Sequence, residues 1–211
     1  MPPVLTLRSL PLFPLGTVLF PDGLLPLRIF EVRYLDMIRR CQRAGAPFGV
    51  VCLTQGSEVR QPGATEAFHS VGTLATVTRL ETPQPGLMVI RASGTQRFRI
   101  TSREQLKHGL WVGDVERLPA DQPVPVPPDL QPPADALGKL IESLQQRAGA
   151  AGELPLQEPW RLQDCGWVAN RWCELLPLPI EMKQRLMELD NPLLRLELVG
   201  DVLARTGIAS S

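Results

Sequence analysis

The sequence predicts an α+β protein: a small, strongly bent β-sheet or barrel carrying one helix, followed by a helical bundle. Three observations lead there. The first half holds about six short runs of strand character between turn signals, with one stretch of helical period. The second half carries apolar stripes at three- and four-residue spacing. Between them, residues 119–133 contain seven prolines, a composition that favours extended polyproline II and a semi-rigid spacer. The expected boundaries are a barrel domain at 1–118, a proline-rich linker at 119–133 and a helical bundle at 134–211.

The first run, residues 4–13, reads as strand and ends at Pro14-Leu15-Gly16. Its apolar character suggests a targeting or membrane segment, but Pro11, Pro14, Pro21 and Pro26 each remove a backbone donor. Only Arg8 precedes the run and no small-residue cleavage site follows it. Residues 17–20 form a second short piece, and Pro21-Asp22-Gly23 is a turn, with Gly23 expected to accept positive φ. From residue 31 the period changes. Tyr34, Met37, Ile38 and Cys41 share one helix face, Glu31 suits the N-terminal dipole end and Gly45 stops the helix.

Strands are then expected at 48–53, 71–80, 87–92, 95–101 and 110–115. A polar loop spans 54–67, Pro83-Gln84-Pro85-Gly86 turns the chain, and Ser93-Gly94 is read as a break. In the second half the stripes are Leu137, Leu140, Ile141 and Leu144; Cys165, Val168, Ala169, Trp172 and Leu176; Met182, Leu186 and Leu189; and Leu194, Leu198 and Val202. Residues 149–155 read as a flexible break and 209–211 as a frayed tail. Four such helices bury their stripes on one another as a bundle.

Lys and Arg total 22, as do Asp and Glu. They are unevenly placed, with 14 basic and 9 acidic residues up to Leu118 and 8 and 13 beyond it. A strongly basic nucleic-acid protein looks different. Cys41, Cys52, Cys165 and Cys173 lack CxxC spacing and sit in apolar runs, as reduced buried thiols do, which points to the cytoplasm. His69 and His108 add too few ligands for zinc. No metal or cofactor is expected.

A phosphate-cradling loop is absent, because Gly138-Lys139-Leu140 lacks both the preceding glycine and the hydroxyl. No G-x-S-x-G surrounds Ser9, Ser57, Ser70, Ser93 or Ser102, so a hydrolase has no recognisable nucleophile. Arg91, Arg97, Arg99 and Arg103 form a basic band, the feature an RNA-binding reading needs. Phe98 is expected to face the core, which removes its stacking platform.

Three segments give a sharper pointer: Leu10-Pro11-Leu12-Phe13-Pro14-Leu15-Gly16, Val18-Leu19-Phe20-Pro21-Asp22-Gly23 and Pro26-Leu27-Arg28-Ile29-Phe30-Glu31-Val32-Arg33-Tyr34. Two later ones follow in order, Val71-Gly72-Thr73-Leu74-Ala75-Thr76-Val77 and Gly94-Thr95-Gln96-Arg97-Phe98-Arg99-Ile100. Together these resemble the N-terminal substrate-binding domain of Lon proteases, in its stand-alone bacterial form without ATPase or peptidase modules. The resemblance covers the first half by residue pattern and the second by architecture.

It implies a pseudo-barrel related to the PUA fold, then a helical bundle, and a non-enzymatic module binding unfolded protein or peptide segments. An adaptor or regulator of a separate protease follows from the same source. RNA binding through the barrel, or a stand-alone hydrolase, is the alternative. The expected contacts are Leu24 and Leu25, at the tip of a loop over residues 22–26 beside the interdomain seam, with Arg28, Phe30, Arg33 and Tyr34 from the motif. Phe30 and Tyr34 are read as core, with Arg28 or Arg33 pairing Glu31. No membrane partner is expected, and oligomeric state is left open.

Overall fold

The computed structural model describes residues 6–58, 66–148 and 153–206. The start of the first strand at 4–5, most of the loop at 59–65, the break at 149–152 and the tail at 209–211 lie outside the described residues. The chain forms two compact units, Met1–Ala120 and Asp121–Ser211.

The first unit contains β1 (Thr6–Leu15), β2 (Leu24–Ile29), α1 (Val32–Ala44), β3 (Phe48–Gln55), β4 (Ala67–Gln84), β5 (Leu87–Gln105) and β6 (Trp111–Arg117). The strand order is β2-β5-β4-β3-β1-β6, and a further β5–β6 pairing closes five strands into a barrel. All neighbours are antiparallel except β1 and β3, which α1 connects on the way between β2 and β3. Closure removes most free edges. Helix α1 ends as expected, with Gly45 at φ 58 and its N–H donated back into the last turn, a left-handed cap that glycine adopts without strain.

Alternation along β1 builds two cores. Leu10 and Leu12 join Val51, Phe68, Leu74, Phe98 and Val115. Phe13 and Leu15 face the other way, toward Tyr34, Ile38, Phe48 and Ile90. Phe13 stacks on Tyr34 with ring centroids 4.0 Å apart, fastening α1 to β1.

Two local readings change. Strand β5 is continuous, so Ser93-Gly94 is no break. A Cβ at Gly94 would stand 2.2 Å from Phe20 O, so the glycine marks where the preceding turn lies against the strand. In that turn Asp22, rather than Gly23, takes the left-handed conformation at φ 61. Gly23 N donates to Phe20 O at 3.0 Å and Asp22 N to Gly94 O at 2.9 Å. Aspartate tolerates this region because its short polar side chain bonds locally.

The second unit contains a 3₁₀ turn (Pro128–Leu130), α2 (Gln131–Ala148), α3 (Cys165–Leu175), α4 (Ile180–Glu188) and α5 (Pro192–Thr206). Helix α2 begins before residue 134, with Pro132 and Pro133 in its first turn, where a missing N–H forfeits no helical bond. Ahead of it, Val126 N donates to Gln163 O at 3.0 Å and Cys165 N to Val124 O at 2.9 Å. Helix α3 is the centre, buried from Cys165 to Cys173 on every side, so its expected stripe is only part of its buried surface.

One buried cation organises this unit. Arg195 of α5 is 1% exposed. Its Nη1 donates to Asp121 Oδ2 at 2.5 Å and Asn170 Oδ1 at 3.0 Å, its Nε to Leu186 O at 2.9 Å, and its Nη2 to Asp121 Oδ1 at 3.4 Å and to Leu189 O. All five guanidinium donors are therefore used. They join the segment before α2 to α3, to the end of α4 and to α5.

The expected stripe on α5 is corrected. Leu196, Val199 and Leu203 are buried together with Arg195, whereas Leu194 and Leu198 are exposed. Seating the arginine rotates the helix so that the expected stripe faces outward. Among the described residues no helix is long and apolar enough to cross a membrane.

All four cysteines are free thiols and buried. Burial pushes the Cys173 thiol up to about 12 and raises Cys41 and Cys165 as well. In the unfolded chain these thiols ionise near about 8.5, so above that pH the unfolded state sheds protons that the native state retains. Stability is thus fully present below about pH 8.5 and falls as pH rises toward 12, for Cys173 by at most about 1.4 kcal/mol per pH unit. Urea midpoints taken at about pH 8 and about pH 10.5 check this, and replacing Cys173 with alanine flattens the slope.

Candidate functional site

Among the described residues, the most exposed large apolar side chains of the barrel unit stand either side of Glu31: Phe30 at 56% and Val32 at 71%. They flank the junction where β2 gives way to α1. In β2, Leu25 and Ile29 point inward and Pro26 and Arg28 outward. Phe30 continues that alternation on the outward side. Val32 opens α1 off the buried face formed by Tyr34, Met37, Ile38 and Cys41.

Arg33 fixes the junction from beneath. Its side chain is almost fully buried, with Nε donating to Glu31 Oε2 at 3.1 Å, Nη1 to Gly109 O at 2.7 Å and Nη2 to Glu66 Oε1 at 3.3 Å. The other Glu66 oxygen accepts from Trp111 Nε1 at 2.7 Å. The guanidinium also lies 4.5 Å from the Tyr34 ring centre. Two carboxylates, a carbonyl and a ring surround one buried charge, a paired arrangement whose disruption is costly. Burial raises the Tyr34 hydroxyl pKa, an effect the neighbouring Arg33 partly offsets, so the phenol stays neutral.

Two hollows adjoin this ledge. A crevice of about 60 Å³ lies among Phe13, Leu15, Leu27, Ile29, Phe30 and Tyr34. A larger one of about 460 Å³ lies beyond Val32, with Met37, Leu110 and Val112 inside and Asp36, Arg40 and His108 among its polar lining. The arrangement offers an extended apolar segment two places to seat side chains, with a rigid apolar edge between them.

The expected site residues fall into three groups. Leu24 and Leu25 are on no loop tip: they open β2, paired with Ser93 and Ala92 of β5, and Leu25 is core. Tyr34 is core and Arg33 pairs with Glu31, while Arg28 faces solvent. Phe30 is the correction, exposed where core was expected. Val32, Met37, Leu110 and Val112 are additions. Val32 carried a legible signal, since it falls off the helical stripe that begins at Tyr34.

One member of the basic band turns inward, while Arg99 and Arg103 stay exposed. Arg97 is buried beside Phe98, with Nη2 donating to Pro119 O at 3.4 Å. Arg103 lies 4.3 Å over the Phe68 ring and 5.7 Å from that of Trp111. Among the described residues no cluster of His, Cys, Asp and Glu is arranged to hold a metal.

A closed barrel with a helical unit behind it in sequence, carrying an apolar ledge at the β2–α1 junction, defines an α+β barrel-and-helix protein. The family described as the ATP-dependent protease La (LON) substrate-binding domain matches residues 9–205, and the chain belongs to that family. The match extends through the helical unit, where the residue pattern alone offered only architecture. The crystal structure of a Lon N-terminal domain protein from Xanthomonas campestris is 30% identical, covering 92% of this chain and 97% of that one, with a TM-score of 0.69. The N-terminal domain of the Mycobacterium avium complex Lon protease has the same fold at 18% identity, covering 97% of this chain and 99% of that one, with a TM-score of 0.59. The Lon protease of Anaeromyxobacter dehalogenans is 29% identical over 97% of this chain and 24% of its own length. Lon protease 2 of Myxococcus xanthus is 29% identical over 94% and 24%. The chain therefore spans about a quarter of the length of these relatives, and the matched domain is the substrate-binding part of the family.

Proposed function

We propose that this chain is a non-enzymatic binding module that holds unfolded protein segments across the Phe30–Val32 ledge and acts in the cytoplasm as an adaptor or regulator of a separate protease. The carrying observation is the pair of exposed apolar side chains, Phe30 and Val32, on a junction immobilised by Arg33. A rigid edge loses little entropy on binding, and apolar anchors seated in pockets dominate interface energies. The family's description as substrate-binding supports the same reading, as do the buried thiols for a reducing compartment.

Fluorescein-labelled β-casein, an unfolded chain, is the probe. Its anisotropy rises on titration with the protein, and Phe30→Asp with Val32→Asp weakens binding by about tenfold or more. Because both positions face solvent, the circular dichroism of the variant matches wild type. Unaltered affinity in the double variant removes the ledge from the reading. Unaltered casein turnover by a Lon-type protease, with and without this chain, removes the adaptor role.

A further inference from the structure

The outward turn of α5 leaves a second apolar surface, contained within the helical unit. Helices α4 and α5 both pack on α3 and leave a groove of about 570 Å³ between them, with Met182, Leu186, Leu189, Leu198 and Val202 inside it. Met182 is 42% exposed and Leu198 43%, and exposed Leu194 continues the face along α5.

Four charges border the groove: Glu181 and Arg185 on α4, Asp201 and Arg205 on α5. Among the described residues none of the four is held in an ion pair. On each helix an acid precedes a base by four residues, one turn apart on the same face. The rim is neutral overall and has no preference for a polyanion or for a uniformly charged peptide. Its complement is a rim in which acid and base alternate at the same one-turn spacing. The rim itself meets that description when turned through 180°.

We infer that this groove is a self-association face, and that its occupant is a second copy of the chain. Two copies approach about a two-fold axis across the groove, each helix antiparallel to its own counterpart. Glu181 of one copy then meets Arg185 of the other, and Asp201 meets Arg205, on both helices at once. A parallel approach sets acid against acid and is disfavoured. Met182, Leu194 and Leu198 are covered by the other copy, as an isologous interface requires.

Sedimentation equilibrium of the full chain between about 1 µM and about 1 mM reads the result. A reversible monomer–dimer equilibrium is expected, and Leu198→Asp weakens it by about tenfold or more. Arg185→Glu with Arg205→Glu abolishes the dimer by setting four acids on each rim. Adding Glu181→Arg and Asp201→Arg restores it, because the reversed pattern is again its own complement. The fourfold variant pairs with itself and not with wild type. All substituted positions are exposed, and unchanged far-ultraviolet circular dichroism verifies each fold. A monomer throughout the range, or a dimer indifferent to Leu198→Asp and to the charge reversals, overturns the inference.

Discussion

Replacing Arg195 with methionine lowers the stability of the helical unit by about 3–5 kcal/mol, the cost of removing one partner from a buried ion pair. The lost attraction is the smaller part of this effect. Methionine fills much of the volume but has no donors, so the hydrogen bonds that Arg195 gives to the Asp121 carboxylate, the Asn170 amide oxygen and two helix-end carbonyls are lost together. A hydrogen bond made by a charged group is worth about 1.5–3 kcal/mol. Replacing Asp121 with leucine in the same chain recovers part of the loss, because apolar substitution of both partners removes the carboxylate that faced the arginine. Urea unfolding followed by the fluorescence of Trp167 and Trp172, both buried in α3, measures it. A single Arg195→Met change worth under about 1 kcal/mol contradicts the account.

Gly72→Ala is the matching experiment in the barrel and costs about 3 kcal/mol or more, the upper range for overpacking a filled core. A Cβ there would stand 2.2 Å from Val50 O, 2.8 Å from Val51 Cγ1 and 2.9 Å from Phe98 Cζ. The first of these atoms belongs to the backbone of the neighbouring strand and has no rotamer through which to retreat. Gly72 is paired with Val51 on one side and Phe98 on the other, so the clash spreads across three strands. At Gly45 the space for a Cβ is open and only the positive φ opposes it, so Gly45→Ala costs about 1 kcal/mol. Guanidinium midpoints for the two variants separate steric from conformational cost.

Much of the fold is legible in the residues because local and global demands coincide there. In α1 the apolar spacing, the cap glycine and the packing partners all agree. The misreadings occur where a distant group decides. Ser93-Gly94 resembles a turn, but the glycine is present for the approach of Phe20 O from another segment. The α5 stripe of Leu194, Leu198 and Val202 is a sound amphipathic pattern. It faces outward because seating Arg195 against Asp121 and Asn170 takes priority, and single-sequence periodicity does not assign a buried arginine to the core. The candidate site is partly legible. Phe30 is out of phase with Leu25 and Ile29, and Val32 is out of phase with Tyr34 and Met37, which together mark them as outward. The larger hollow beside Val32 depends on Leu106, His108 and Leu110, supplied by a segment more than seventy residues further along the chain, and no local pattern reports that.

The place of β1 between β3 and β6 sets a timetable for the nascent chain. One neighbour is made after some forty residues, whereas the other is among the last parts of the barrel to be synthesised; Ser9 and its partner Asp114 lie 105 residues apart. Such long-range closure is slow and leaves the strand's edge open while synthesis proceeds. An apolar strand with a complete row of amide donors would, in that interval, template pairing with other nascent chains. Pro11 and Pro14 interrupt that row within β1, and interrupted edges are poor templates. The prolines that keep this segment from forming a continuous helix also shield it during the wait for its last partner.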